Sequence, residues 1–278
     1  MHAPPPTTYD DIDWNLLWKN SRARKSWTSK GAKEWDKKAP SFSAKVLDSP
    51  YVNLVLAQIP VKKHHTVLDI GCGPGTLALP LARKVTHVSA LDYSEKMIEI
   101  LKGHIMEKAY TNITPYLCSW EDDWEKRGVE PADIAIASRS MSVDNLSGAI
   151  DKINSFAKKY VFLSDRISPT PYDPDAFAVL GRKFDAGPDY IYTLNMLYSK
   201  KIHANITVIE LERDVFYPDI DQIMDTYKWM FKELTLPEEK KLENYILSCI
   251  TPSSEKEGYI FHHNHPPKWA LIWWRIRR

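Results

Sequence analysis

Val67-Leu68-Asp69-Ile70-Gly71-Cys72-Gly73-Pro74-Gly75-Thr76 (VLDIGCGPGT) sets three glycines within five positions, directly after an apolar run that carries an acid. Glycine lacks a Cβ and adopts torsions closed to other residues, so Gly71, Gly73 and Gly75 make a turn whose main chain a ligand can approach closely. Thr76 stands where it can cap a following helix, and the amides of a helix start favour a carboxylate or phosphate. Dinucleotide-binding turns space their glycines G-x-G-x-x-G, whereas the order here is G-x-G-x-G. Asp69 puts a carboxylate beside the turn, which suits a ligand bearing an ammonium or sulfonium better than a pyrophosphate and argues against NAD.

Outward from this turn the chain alternates. Thr66 to Ile70 reads as a buried strand, Thr76 to Arg83 as a helix, His87 to Leu91 as a strand and Ser94 to Lys108 as a helix. Ile113 to Cys118, Ile134 to Ser138 and Tyr160 to Ser164 continue as strands, the last two joined by a helix from about Leu146 to Ala157. This rhythm predicts an α/β, Rossmann-like, doubly wound and mainly parallel sheet. Residues 167–203 interrupt it with SPTPYDPDAF and DYIYTLNMLY and read as an insertion over the sheet. Asn205 to Glu212 and Trp269 to Ile276 look like strands, and Asp219 to Ile250 like one or two helices.

Residues 1–8 read as a loose tail. Ile12 to about Ala39 is polar and basic yet carries Trp14, Trp18, Trp27 and Trp35, the first two on one helix face. Ser49-Pro50 opens a further helix through about Ile59. The expected organisation is a helical cap or lid over residues 1–50 and one catalytic domain over 51–278, with insertions at about 167–203 and 213–260. No internal repeat is evident.

Among the 278 residues, 37 Lys and Arg nearly balance 36 Asp and Glu, so no global field draws the protein to nucleic acid or an anionic membrane, and a small-molecule partner is favoured. Cys72, Cys118 and Cys249 are too sparse for a disulfide framework or a zinc site and read as buried small hydrophobes. No apolar run approaches membrane-spanning length and the start lacks a basic-then-apolar leader, so a cytoplasmic location is expected. Oligomeric state is left open.

The turn, together with LDYSEKM at the next strand end, resembles the first two motifs of class I S-adenosylmethionine-dependent methyltransferases of the small-molecule kind, close to the type 11 and type 25 groups. The resemblance covers roughly residues 60–166 and the final strand pair, and it implies a seven-stranded sheet whose reversed last strand is WALIWWRIRR. It implies S-adenosylmethionine as cofactor and S-adenosylhomocysteine as product, with Asp92 accepting from both ribose hydroxyls. It further implies cofactor contacts from Asp69, Gly71, Cys72, Gly73, Gly75, Tyr93 near the adenine, Met97, Arg139, and Ser119 with Trp120 in CSWEDDW. Ser119 stands where the family often has an acid, so the adenine amino group can shift to Glu121 or to main chain. No metal is expected.

The acceptor belongs beyond the carboxyl ends of the strands, where ASRSMSVDNL and SDR leave the fourth and fifth. Arg139, Asp144, Asp165 and Arg166 are candidate pocket residues. The two arginines can hold an acceptor carboxylate or phosphate or anchor a loop by a salt bridge. Arg139, His203 as a general base, and Tyr192 are the catalytic candidates, while Tyr190, Asn195 and Tyr198 divide between pocket and core. The Trp-rich start is either a lid with an aromatic wall or a set of packing anchors. FHHNHPP places His262, His263 and His265 close together, but neighbours in an extended segment point to opposite faces. The reading is methyl transfer to a small molecule. Its rivals are transfer of another group from a related sulfonium and a non-catalytic sensor of the cofactor. No N/D-P-P-Y/F motif marks a nucleic-acid methyltransferase.

Overall fold

The computed structural model describes residues 6–27, 30–47, 49–231 and 233–277. Residues 1–5 and Arg278, expected to be tails, lie outside them. From Thr7 the start is tied down: Thr7 and Thr8 donate to Asp11 Oδ2 around a short 3-10 turn, Tyr9–Asp11.

Three helices follow, α1 (Trp14–Arg24), α2 (Ala32–Val46) and α3 (Pro50–Leu56), and then the central strand β1 (Thr66–Ile70). Alternation runs through α4 (Ala78–Ala82), β2 (His87–Asp92), α5 (Glu95–Glu107), β3 (Ile113–Leu117), β4 (Ala132–Ser138), α6 (Leu146–Ser155) and β5 (Ala157–Arg166). Beyond it come α7 (Pro174–Val179), α8 (Tyr190–Ser199), β6 (Asn205–Glu210) and β7 (Asp214–Tyr217). The chain closes with α9 (Ile220–Lys228), α10 (Leu236–Ser248), β8 (Ile250–Pro252), β9 (Tyr259–His262) and β10 (Lys268–Arg275).

Strands β1 and β4 are apolar runs buried on both faces, which suits the middle of a parallel sheet. The order is β3-β2-β1-β4-β5-β10-β6. β10 is antiparallel to both β5 and β6, so the reversed strand lies inside the sheet and β6 forms its edge, parallel to β5. Helices α3, α4 and α5 cover one face through Tyr51, Val55, Leu81, Ile98 and Leu101. The other face is covered by α1, α6 and α8 through Trp18, Leu146, Ile150, Ile153 and Leu197. The segment expected as an insertion therefore divides, because α8 is a sheet-flanking helix and only the stretch before it leaves the domain.

That stretch, together with residues between β6 and β10, builds an accessory unit around Phe177, Tyr227, Phe231, Leu242 and Phe261. Its small sheet, β7-β9-β8, was not foreseen from the sequence, since strands of three or four residues leave too few positions for alternation to register. Asp173 ties the unit together, with its Oδ2 accepting from the Tyr227 and Tyr245 hydroxyls, each at 2.7 Å. The unit emerges from the carboxyl ends of β5 and β6 and re-enters at the start of β10. It therefore stands at the end of the sheet where the glycine turn lies.

The Trp-rich start also divides. Trp18 is buried under α1 and its indole donates to Val143 O at 2.8 Å, which makes α1 a fixed packing helix. In contrast α2 lies against α5, where Asp36 accepts from Ser94 Oγ at 2.6 Å and from Lys96 N at 3.1 Å.

Candidate functional site

The turn after β1 is stitched to β2, with Gly71 N and Cys72 N both donating to Leu91 O, at 2.7 and 2.9 Å. Its three glycines serve different ends. A Cβ on Gly71 would overlap the Ser140 side chain, and one on Gly75 would sit 2.7 Å from Leu101 Cδ1 and 2.8 Å from Leu79 Cγ. Both positions are left-handed as well, so they are closed to other residues by packing and by torsion. At Gly73 the nearest atoms to such a Cβ are Phe42 Cε1 at 3.8 Å and Thr76 Oγ1 at 3.9 Å, so this glycine faces a space bounded by α2.

Thr76 does not cap the next helix. α4 begins after Leu77 with no side-chain cap and has only five residues, so the expectation of an anion site at its start is withdrawn. Ser94 does cap α5, accepting from Met97 N at 3.2 Å, and Met97 is buried beneath it.

Two acids lie below this turn. Asp69 is 2% exposed, and its Oδ2 has no hydrogen-bond partner among the described residues. Burial, and then the neighbouring Asp92, push its carboxyl up to about 7. Asp92, at the end of β2, accepts from Gly73 N at 2.8 Å and from Ser94 N at 2.9 Å, and burial raises it too. A carboxylate offers about four lone-pair sites, so beside these backbone donors and Tyr93 N it keeps acceptor capacity for a ribose hydroxyl. An orphaned buried carboxyl, a ribose acceptor and an open glycine together fit S-adenosylmethionine. Cys72 is buried between the acids, and burial followed by their charges drives its thiol well above its ordinary range, which leaves it as packing.

Tyr93 is half-exposed and donates to Lys30 O at 3.2 Å, so it ties the α1–α2 link to the end of β2. The Ser119 turn closes on itself: Ser119 N donates to Asp122 Oδ2, and Ser119 Oγ accepts from Glu121 N and Asp122 N. Trp120 leans from the end of β3 toward β4 and donates to Ser140 O at 3.0 Å.

Arg139 directly follows β4 in a left-handed conformation (φ 56°), unusual for a residue with a side chain. Its amide donates to Ser164 Oγ at 2.9 Å and to Ser164 O at 3.2 Å. The guanidinium lies over the Tyr51 ring at 4.2 Å and near Trp269 at 5.6 Å, and burial lowers its pKa. Tyr51 shares hydrogen bonds with Ser138 Oγ at 2.8 Å and Ser164 Oγ at 2.5 Å. Sequence reasoning missed Tyr51, which reaches the site from α3, outside every motif; no local signal marks it.

Several other candidates are placed elsewhere. Asp144 is exposed and pairs with Arg22 of α1 at 2.9 Å. Asp165 is buried but engaged, accepting from Thr193 Oγ1 at 2.7 Å and from Arg166 N at 2.8 Å. Arg166 donates to Pro188 O and lies 4.7 Å from the Trp27 ring. Tyr192 packs edge-on to Trp18 in the seam between α1 and α8, and Tyr190 packs against the same core. Asn195 donates to Ile191 O within its own helix, and Tyr198 packs exposed against Tyr9.

His203 cannot be the base. It precedes β6, which runs parallel to β5, so it stands at the opposite end of the sheet from the glycine turn, exposed beside Tyr198. The three clustered histidines also separate: His262 binds Asp214 and Thr251, His263 packs tilted against Phe261, and His265 lies 3.5 Å from Asp175. Asp173, Asp175 and His265 bring ligand atoms within 4.8 Å of one another, but Asp173 is committed to two tyrosines and Asp175 accepts from Asn264.

Comparison with known proteins agrees with this geometry. Residues 61–201 match a family model described as a methyltransferase domain. An uncharacterized protein of Haemophilus influenzae is 35% identical over 248 residues, which is 88% of this chain and 90% of that one. The YcgJ protein of Bacillus subtilis superposes with a TM-score of 0.57 at 18% identity, covering 82% of this chain and 98% of that one. A putative methyltransferase of Bacillus halodurans does so with a TM-score of 0.54 at 13% identity, covering 82% and 99%.

Proposed function

Since the chain belongs to the methyltransferase-domain family and is a class I S-adenosylmethionine-dependent methyltransferase, we propose that its acceptor is a small molecule held at the carboxyl ends of β4 and β5, beneath α2 and the accessory unit. One observation carries this reading. Trp35 of α2 meets Trp229 of the accessory unit at 5.6 Å, with Lys30 over the same indole at 4.6 Å. Together with the Asp36 contacts to α5, this makes a roof across the strand ends that suits a small acceptor better than a polymer. Among the described residues no helix is long and apolar enough to cross a membrane.

When bound, the cofactor supplies an already electrophilic methyl group. The protein's part is then alignment and exclusion of water, an effect worth several kcal/mol. Asp92 holds the ribose, Asp69 answers the ammonium end, and the Gly73 main chain lets the ligand approach closely. The helix α2 acts as a lid: Phe42 stands over Gly73, and the contacts of Asp36 fasten α2 to the start of α5. The hydroxyls of Tyr51, Ser138 and Ser164 bond to one another in a network that supports Arg139 from below.

Incubation with methyl-labelled S-adenosylmethionine and a panel of small acceptors tests this. Label is expected in the low-molecular-mass fraction together with equimolar S-adenosylhomocysteine. Label in protein or nucleic acid would overturn the small-acceptor reading. Tight cofactor binding with no turnover on any acceptor would favour a sensor, and transfer of a different carbon a related group-transfer enzyme.

A further inference from the structure

Arg139 is a cation placed inward without an anion. Among the described residues no carboxylate lies within ion-pair distance of its guanidinium, whose contacts are the faces of Tyr51 and Trp269. Arg139 is partly exposed, and aromatic faces recover only part of the cost of shielding a cation from water. The backbone bears a further cost, since its left-handed torsion persists only because Ser164 receives the amide twice. A side chain held this way, at the carboxyl end of a parallel strand, is poised for a ligand.

The position says which ligand. Gly71 and Trp120 bracket Ser140, the next residue, so Arg139 borders the glycine turn. Its guanidinium, however, reaches toward Trp269 of β10, two places beyond β4 in the sheet and away from the ribose acid on β2. The adjacent strand end bears a second arginine, Arg166, also without an ion-paired carboxylate among the described residues, its guanidinium donating to Pro188 O. Lys25 lies 4.0 Å over Trp27, the indole that Arg166 also faces. Asp165 and Asp189 act on Arg166 and Asp144 on Lys25, so the uncompensated positive charge of this side centres on Arg139.

We propose that the methyl acceptor carries an oxyanion, a carboxylate or a phosphate, that docks on the Arg139 guanidinium, which the buried Tyr51 and Trp269 rings hold in place. This rests on the methyltransferase reading above and goes beyond it by naming the substrate class. The fork of an arginine pairs with either oxyanion in two parallel hydrogen bonds, so Arg139 fixes the orientation of the acceptor and leaves its nucleophilic end toward the methyl group.

The test uses the full chain, loaded with S-adenosylhomocysteine and also free of it, titrated with acetate and with inorganic phosphate, chloride serving as the ionic-strength control. The readouts are calorimetry and the Arg139 Nε–H signal in nitrogen-labelled protein. Saturable binding that moves this signal, weakened by at least about tenfold in Arg139→Met, is the result expected of one lost charge-assisted pair. Arg139→Lys should fall between, keeping the charge without the fork. Whichever anion binds tighter identifies the acceptor's group. Three results overturn the proposal: no saturable shift in the wild-type protein with or without S-adenosylhomocysteine, in which case Arg139 is a packing cap; a saturable shift only in protein free of S-adenosylhomocysteine; or a comparable loss of S-adenosylhomocysteine affinity in Arg139→Met. The latter two give the guanidinium to the cofactor's own carboxylate. The wild-type signal decides even if a variant fails to fold. Failure to bind S-adenosylhomocysteine at all would sink the underlying reading instead, and is seen separately when the protein is loaded, by calorimetry.

Discussion

The ends of β1 and β2 present two buried acids, Asp69 and Asp92, whereas the ends of β4 and β5 present two arginines, Arg139 and Arg166, in the same sheet. Burial raises the pKa of the first pair and lowers that of the second. The two sets form no ion pair with each other among the described residues. A protein selected for stability alone would pair such charges or replace them with apolar groups. Their separation teaches that the cleft is built for ligands of opposite sign on its two sides: a cationic cofactor end over the acids and an anionic acceptor beside the arginines.

The largest expected effect comes from erasing the boundary between the sides. Gly71→Val forces a β-branched side chain into a left-handed position and into Ser140, the neighbour of Arg139. It should cost about 3 kcal/mol or more of stability, and both ligand sites should fail together. The urea midpoint measures it, and a stable Gly71→Val that still binds anions would show the sides to be mechanically independent.

Asp92→Ala should separate them. Loss of the charged ribose acceptor should weaken S-adenosylhomocysteine by roughly 2 to 4 kcal/mol while leaving acetate or phosphate at Arg139 unchanged, as read by calorimetry. Equal nucleoside affinity in both proteins would remove Asp92 from the ribose.

The acid side should also respond to pH. Asp69, raised to about 7 in the fold, binds a proton that the unfolded chain releases near 4; its contribution to stability is therefore full below about 4 and declines as pH climbs toward 7. The ligand's ammonium group favours the ionised form, so S-adenosylhomocysteine affinity should rise about tenfold from pH 6 to pH 8, with proton release at the lower value. In Asp69→Asn this rise should flatten. A rise that survives the substitution belongs to another group, Asp92 being the first suspect because burial raises it in the same direction.

The smallest effect concerns the roof. Asp36→Ala removes the acceptor that Ser94 and Lys96 share, at a cost to stability of about 1 kcal/mol or less, and it should speed exchange of S-adenosylhomocysteine several-fold. Stopped-flow tryptophan fluorescence follows it through Trp35. Unchanged rates would show that α2 is a fixed wall and not a lid.

Much of this fold was legible in advance. The strand–glycine turn–helix, the cap at Ser94 and the acid at the end of β2 rest on patterns confined to a few consecutive residues, whereas the reversal of the final strand followed from the family resemblance alone. The errors have physical causes. Thr76 lies in a turn that continues past it, because the short α4 starts only after Leu77. His203 was read by residue type, but its place at the amino end of β6 follows from strand direction, which no local pattern encodes. The segment of α8 was read as an insertion because prolines precede it, although its Met196 and Leu197 supply the sheet's own core.

The sequence by itself determined where backbone torsion and hydrophobic period are local matters: the alternation of strands and helices, the glycine turn, and hence the family and its cofactor. Tertiary structure alone decided which face of the cleft each charge occupies. Tyr51, Arg139 and Trp269 come from α3, the end of β4 and the start of β10, and only the sheet order brings them within ring-contact distance. An unpaired charge is invisible in a sequence whose acids and bases balance, because pairing is a property of distances between elements and not of composition.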